Sequence, residues 1–195
     1  MRSISLARLN DGLDQLNGEH RAIRQLLRAF ERACPLGRTG YADKAAIVDQ
    51  LCDTLTLHAR VEEEIFYPLV RSVLPPASLS ASLYATAFCN HQRLFDLIAW
   101  LDELEPHHPD YDRMVRLIGD CVLPSMAQEQ AVLFEAVRAA GLDTLALGRR
   151  MAQCRKTHLG DVTEIGLAHP RTSTPRSARK AQAPTAGVGP AAGRN

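Results

Sequence analysis

Apolar residues recur every three or four positions in four long stretches of the chain. The stretches are roughly residues 8–34, 41–73, 78–105 and 110–140. This spacing is typical of one face of an α-helix. Proline and glycine punctuate the short segments between the stretches, and such residues end helices. Short connections make neighbouring helices antiparallel, so we predict an all-α fold, an up-down-up-down antiparallel four-helix bundle.

Polar residues interrupt the apolar face of each stretch near its middle. The predicted inward faces are Leu9, Leu13, Leu16, His20, Ile23, Leu27, Phe30 and Cys34; Ile47, Leu51, Leu55, His58, Glu62, Ile65 and Leu69; Tyr84, Ala87, His91, Leu94, Ile98 and Leu101; and Met114, Ile118, Cys121, Ser125, Glu129, Val132 and Ala136. A four-helix bundle would bring the interruptions to one level. The pattern therefore predicts a buried polar layer.

The fourth stretch also fits a second register. Its inward face would be Val115, Ile118, Val122, Met126, Leu133 and Val137. In that register Glu129 lies at the margin of the apolar face and Met126 points inward, with Ser125 beside it. The sequence leaves both registers open.

The composition of the layer favours a metal site. Its residues of ligand type are His20, His58, Glu62, His91 and Glu129. Burying ionised carboxylates without compensation is costly, and two of them in one layer also repel each other. Bound cations would neutralise them, and carboxylates with imidazoles from facing helices are the ligands of di-iron bundles. Zinc or manganese also suits these donors, and a metal-free histidine–glutamate network is the alternative.

The two halves of the helical region resemble each other. EHRAIRQLLRAF aligns with NHQRLFDLIAWL and pairs His20 with His91, while HARVEEEIFYPLVR aligns with SMAQEQAVLFEAVR and pairs Glu62 with Glu129. A duplicated helical hairpin would present symmetric ligands to two ions. In this alignment Ser125 stands opposite His58.

These segments resemble the hemerythrin-like, or HHE cation-binding, family over about residues 17–138. The resemblance implies a four-helix bundle with a non-haem di-iron centre and roles in oxygen binding, iron or redox sensing, or stress responses. His20, His58, Glu62, His91 and Glu129 match the family's ligands. The family has a further histidine where this chain has Ser125, so we expect one or two iron ions, with the second position weakened.

Three function hypotheses follow. The leading one is a non-enzymatic iron-binding protein that binds or senses oxygen, nitric oxide or iron, with a small diatomic molecule as its candidate ligand. The second is a di-iron or mononuclear oxidoreductase acting on peroxide or nitric oxide. The third is a metal-free bundle that serves as a regulatory or interaction module.

The rest of the sequence indicates the domain boundaries, the net charge and the expected location of the protein. We assign residues 1–141 to the bundle, 142–166 to an additional short helix packed on it, and 167–195 to a disordered basic tail that could contact an acidic partner. A formal net charge of +1 gives no overall field for nucleic acid or membranes. With no signal-peptide or membrane-span pattern, we expect a cytoplasmic protein.

The five cysteines and His158 are expected to have structural roles. The five cysteines are widely spaced and contain no C-x-x-C pair, so we predict reduced core thiols, Cys89 included. His158 extends the apolar stripe of the fifth helix, and we expect it to pack there and not to bind metal.

Overall fold

The computed structural model describes residues 11–35, 41–73 and 79–166. Its helices are α1 (Gly12–Ala33), α2 (Tyr41–Val61), α3 (Tyr67–Val73), α4 (Leu79–Asp102), α5 (Tyr111–Gln128), α6 (Phe134–Ala139) and α7 (Thr144–Gly166). A first π turn, Glu62–Phe66, joins α2 to α3, and a second, Glu129–Leu133, joins α5 to α6. The all-α prediction is confirmed over these residues, and the predicted tail lies outside them.

Two apolar clusters occupy opposite ends of the bundle and reveal the direction of each helix. Helix α1 contributes Leu13 to the cluster that contains Phe66 and Phe30 to the cluster that contains Val48. Helix α4 runs the same way, since Ala87 belongs to the Phe66 cluster and its later apolar residues to the Val48 cluster. The α2–α3 and α5–α6 rods run from the Val48 cluster to the Phe66 cluster, which gives the up-down-up-down order.

Helix α7 lies beside α1 and runs parallel to it. Asp11 caps α1 by accepting from the backbone of Leu13, and its other carboxylate oxygen accepts from the Thr144 hydroxyl. One turn later, the Gln15 side chain donates to the carbonyl of Gly148 at 3.3 Å. Three apolar residues of α7 complete the Phe66 cluster: Leu147, Met151 and Cys154. Helix α7 therefore covers one end of the bundle.

The two π turns occupy equivalent places, the first between α2 and α3 and the second between α5 and α6. The backbone N–H of Tyr67 donates to the carbonyl of Glu62, and that of Phe134 donates to the carbonyl of Glu129. Each bond spans five residues instead of the four of an α-helix. Each turn therefore inserts one extra residue and rotates the helix that follows it.

The inserted residue makes our predicted faces wrong beyond both glutamates. After Glu62 we predicted Ile65 and Leu69 to face inward, but both are half-buried and the buried residues are Phe66 and Val70. The same shift follows the second turn: the predicted Val132 and Ala136 are half-buried, and the buried residues are Leu133 and Val137. The competing register is correct at all six of its apolar positions, which are buried: Val115, Ile118, Val122, Met126, Leu133 and Val137. It is wrong at Glu129, which is buried and not at the margin. The first register fails at Val132 and Ala136 because uninterrupted α-helical spacing omits the extra residue.

The cysteines are free thiols, as predicted, but they are not all in the core. Cys52 and Cys154 are buried, Cys34 and Cys121 are half-buried, and Cys89 is exposed. The core prediction for Cys89 is wrong because Cys89 precedes the inward-facing His91 by two positions. Helical residues two apart do not share a face.

In the part of the chain that the structure describes, no helix has both the length and the apolar character needed to cross a membrane.

The close approach of α1 and α7 gives a stability prediction. A Cβ atom at Gly12 would lie 2.5 Å from Leu147 Cγ and 3.0 Å from the backbone nitrogen of Gly148. Overpacking of this kind costs about 1–3 kcal/mol. We therefore expect Gly12→Ala to lower the free energy of unfolding, measured by urea denaturation, by that amount.

Gly18→Ala is the matched control on the same helix. Its new Cβ would have only Arg21 Nη2 nearby, at 3.9 Å, and replacing glycine by alanine inside a helix stabilises it by about 0.5–1 kcal/mol. Equal stabilities for the two variants would contradict the proposed tight contact between α1 and α7.

Candidate metal centre

A polar layer separates the two apolar clusters, and all five predicted ligand residues lie in it. Each exposes 6% or less of its surface: His20, His58, Glu62, His91 and Glu129. They come from α1, α2, the first π turn, α4 and the second π turn. The helices and π turns thus bring five groups of metal-ligand type to one buried level, as expected from the interrupted faces.

The carboxylate of Glu62 lies at the middle of the layer. Its Oε1 is 3.4 Å from His58 Nε2 and 3.9 Å from His20 Nε2, while its Oε2 is 3.3 Å from His91 Nε2. Glu129 Oε2 is 3.4 Å from His20 Nε2. Glu62 therefore faces imidazoles from three helices, and Glu129 shares one of them.

Four of these groups have the spacing of a metal site. The donor atoms of His20, His58, Glu62 and Glu129 all lie within 4.8 Å of one another. Bonds of about 2.1 Å from one ion to tetrahedral ligands would separate those ligands by about 3.4 Å, the spacing found in two of the pairs. His91 is not in this group, and it lies on the other side of Glu62.

Several buried polar atoms in the layer lack hydrogen-bond partners among the described residues. They are both ring nitrogens of His20, Glu62 Oε1 and Glu129 Oε2. A buried polar group left unsatisfied costs about 1–3 kcal/mol. Three of these atoms, His20 Nε2 and the two carboxylate oxygens, converge on the same volume. A cation placed between them would satisfy all three, so the residues fit a metal ion.

Two of the histidines are oriented from behind by carboxylates. His58 Nδ1 lies 2.8 Å from Glu19 Oε2, and His91 Nδ1 lies 3.2 Å from Glu63 Oε1. Arg155 of α7 donates to the other oxygen of Glu19 at 2.7 Å. Metal-binding histidines commonly donate their second N–H to such groups. The partners direct the Nε2 atoms of His58 and His91 toward Glu62.

Tyr67 connects the two buried glutamates on the His91 side. Its hydroxyl oxygen lies 2.6 Å from Glu129 Oε1 and 3.1 Å from Glu62 Oε2. These are the two carboxylate oxygens that do not face His20 or His58. A second ion beside His91 would require the same two oxygens, so Tyr67 competes with it.

Ser125 adds to the asymmetry. It is buried in α5, its Oγ lies 3.5 Å from Asn90 Nδ2, and it lines a cavity of about 20 Å³ beside His91. A cavity of this size holds about one water molecule. Pro124 precedes Ser125 without ending α5, which continues to Gln128. The His91 side of the layer thus has one imidazole and a small cavity, whereas the other side has two imidazoles.

The family model described as hemerythrin HHE cation binding domain matches residues 11–84, which include His20, His58 and Glu62. Residues 11–84 are therefore similar to the hemerythrin HHE family. His91 and Glu129 lie beyond the matched residues, and the fold brings them to the same buried layer.

A curated relative matches part of the chain. A protein named DNA nickase from Nostoc sp. (strain PCC 7120 / SAG 25.82 / UTEX 2576) is 32% identical over 89 residues. The match covers 46% of this chain and 24% of the relative, so the chain spans about a quarter of that protein's length. No solved structure matches the chain significantly.

The buried polar layer shows the twofold relation that the sequence halves suggest. The Tyr67 ring lies 5.6 Å from the His91 ring, and the Phe134 ring lies 5.9 Å from the His20 ring, between centroids. Tyr67 and Phe134 are paired in the alignment of the halves, as are His20 and His91. Only Tyr67 carries a hydroxyl, so the symmetry is broken where the carboxylates meet His91.

Without a metal ion, the charges of the layer depend on one another. Burial would raise the pKa of Glu62, but the imidazoles of His58, His20 and His91 hold it well below its usual range. Burial and the neighbouring Glu62 raise the pKa of Glu129. Burial would lower the pKa of His20, yet Glu129 and Glu62 raise it to about 9. A cation that binds here must therefore displace protons.

Four important residues were not predicted from the sequence: Glu19, Glu63, Tyr67 as a polar contact, and Arg155. Glu19 and Glu63 each adjoin a predicted ligand in sequence, which is a usable signal. The pairing of Arg155 with Glu19 spans 136 positions and leaves no local pattern.

The raised pKa of His20 gives a pH prediction for the metal-free protein. In the unfolded chain this imidazole titrates near 6.5, and in the folded protein near 9. Its stabilising contribution is therefore fully present below pH 6.5 and is lost as the pH rises through about 9. We expect the free energy of unfolding, measured with a chelator present, to fall across this interval.

His20→Gln should flatten that dependence, whereas His108→Gln, whose side chain is 45% exposed, should preserve it. Identical pH profiles for wild type and His20→Gln would show that His20 is not held protonated by the two glutamates.

Proposed function

We propose that this protein is a non-haem iron-binding protein of hemerythrin type that binds or senses oxygen, nitric oxide or iron. The observation that carries the proposal is the convergence of His20, His58, Glu62 and Glu129, whose donor atoms lie within 4.8 Å of one another in a buried layer. The match of residues 11–84 to the hemerythrin HHE cation-binding domain supports iron as the ion. Bound iron would supply a redox-active centre able to take up a small diatomic molecule.

The arrangement supports unequal occupancy of two positions. On one side, His20 faces Glu129 Oε2 and His58 faces Glu62 Oε1. We call these two atoms the inner oxygens. On the other side, His91 is the sole imidazole among the described residues. The Tyr67 hydroxyl contacts the outer oxygens there, Glu129 Oε1 and Glu62 Oε2. We therefore assign one tightly held ion to the first side. A second ion beside His91 would bind weakly, because it must displace the Tyr67 hydroxyl.

The cavity beside His91 suits a small ligand. Its volume is about 20 Å³, and its apolar wall includes Leu55, Leu94, Val122 and Met126. Glu62 and Glu129 also line it, so a molecule in the cavity would lie against the same carboxylates that hold the ion. The dimensions suit a molecule the size of water or a diatomic gas. An apolar wall of this kind limits water and favours uncharged ligands.

A metal-free interaction module accounts less well for the layer. It would leave three convergent buried atoms, His20 Nε2, Glu62 Oε1 and Glu129 Oε2, without hydrogen bonds, held by the attraction between a protonated His20 and the two carboxylates. An oxidoreductase acting on peroxide or nitric oxide would use the same ion, and turnover would distinguish it from simple binding.

Iron binding is the primary test. We expect the wild-type protein, loaded with ferrous iron under anaerobic conditions and desalted, to retain about one tightly bound ion per chain by elemental analysis. His58→Ala should lose most of it, because one of the two imidazoles is removed. His108→Ala should retain it. Equal iron in the wild type and His58→Ala would overturn the assignment.

The ligand is tested on the same samples. Addition of nitric oxide to the ferrous protein should produce a new visible absorption spectrum in the wild type and His108→Ala but not in His58→Ala. Iron binding without any response to oxygen or nitric oxide would leave iron itself as the sensed species.

A second prediction concerns the His91 side. Ser125→His should raise the iron content toward two ions per chain, because it adds an imidazole next to the outer oxygens of the glutamates. Tyr67→Phe in the same background should raise it further by removing the competing hydroxyl. Unchanged iron content in Ser125→His and in the double variant would show that these residues do not limit the second position.

A further inference from the structure

A second group of metal-binding side chains lies outside the buried layer, between the first π turn and α7. It consists of Glu64, Cys154 and His158, whose donor atoms all lie within 4.8 Å of one another. His158 Nε2 is 2.9 Å from Glu64 Oε1, and Cys154 Sγ is 3.6 Å from Glu64 Oε2. The two α7 side chains therefore meet at one carboxylate.

The helices place these groups for a common ligand. Cys154 and His158 are four residues apart on α7, so they lie on the same face one turn apart. Glu64 follows Glu62 and Glu63, and the three consecutive carboxylates point in different directions. Glu62 faces the buried layer, Glu63 contacts His91, and Glu64 contacts His158.

Solvent can reach this cluster. The side chains of Glu64 and His158 are 48% and 27% exposed, whereas Cys154 is buried at the base with 8% of its surface exposed. An ion could therefore enter from the surface and contact a thiolate that is shielded from bulk water. This differs from the buried centre, to which no sulfur donor is assigned.

We propose that Glu64, Cys154 and His158 form a second metal site, which binds a borderline-soft divalent cation of the zinc type. Thiolate, imidazole and carboxylate are the three donor types that zinc uses in proteins. Three protein ligands leave the fourth tetrahedral position to water. The sulfur donor disfavours magnesium and calcium, which prefer oxygen ligands.

A simple surface ion pair explains less of this geometry. An exposed histidine–glutamate pair contributes little to stability and needs no third group. Here the Cys154 thiol approaches the second oxygen of the same carboxylate. The apolar stripe predicted for α7 explains the burial of Cys154, but it does not explain why His158 reaches back to Glu64.

The site also adjoins the supports of the buried centre. Arg155 lies next to Cys154 on α7 and donates to Glu19, which in turn contacts His58. An ion held by Glu64, Cys154 and His158 would cross-link α7 to the first π turn. The proposal does not depend on iron in the buried layer, because it shares none of its ligands.

Cobalt(II), a spectroscopic substitute for zinc, provides the test. It is titrated into the 195-residue chain under anaerobic, reducing conditions. We expect a thiolate-to-cobalt charge-transfer band and the visible bands of tetrahedral cobalt. In His58→Ala, where the buried centre no longer competes for the ion, the charge-transfer band should saturate at one equivalent. Zinc should abolish these bands by displacement. Cys154→Ser should lack the charge-transfer band, and His158→Ala should bind cobalt at least tenfold more weakly.

The control variants separate this site from the buried one. Cys121→Ser removes the thiol that lines the buried cavity, and His58→Ala removes a buried imidazole; both should retain the charge-transfer band. Circular dichroism establishes that each variant is folded. Absence of the band in the wild type, its persistence in Cys154→Ser, or unchanged affinity in His158→Ala would each overturn the proposal.

Discussion

Two carboxylates buried side by side in an apolar bundle impose the main constraint on this structure. Glu62 and Glu129 are almost completely removed from solvent, and each ionised group would be costly to bury alone. Histidines from three helices and the Tyr67 hydroxyl surround them. Such a layer is stable only when protons or metal ions balance its charge. The ligand chemistry and the fold are therefore parts of one problem.

The two π turns place the buried glutamates in this layer. Both begin at a buried glutamate, and both occupy equivalent places in the two halves of the bundle. Turns of this kind are rare and occur often at functional sites. Their repetition supports the duplicated-hairpin interpretation of the sequence. This symmetry is broken at two positions, where Ser125 is equivalent to His58 and Phe134 is equivalent to Tyr67. The first position is a predicted metal ligand in one half, and the second contacts such ligands.

The sequence predicted the features that depend on local periodicity. The all-α fold and the layer of His20, His58, Glu62, His91 and Glu129 follow from apolar faces interrupted at one level. The burial of Phe66 in place of Ile65 could not be predicted, because one inserted residue has no signature in an apolar pattern. The burial of Leu133 in place of Val132 was given by the competing register, but the sequence did not distinguish that register from the first.

Contacts between residues far apart in the sequence also could not be predicted from local periodicity. Glu63 and Glu64 belong to an acidic run that is compatible with a solvated surface, and only the positions of α4 and α7 give each glutamate a separate histidine partner. His158 was expected to pack as part of an apolar stripe. Its interaction with Glu64 arises because α7 runs parallel to α1 and passes the first π turn.

The most direct measurement is anomalous X-ray diffraction at the iron edge from crystals of the iron-loaded protein. The account predicts that the strongest anomalous peak lies within bonding distance of His20 Nε2, His58 Nε2 and the inner oxygens of Glu62 and Glu129. A strongest peak elsewhere, or fully loaded crystals without a peak in this layer, would contradict it.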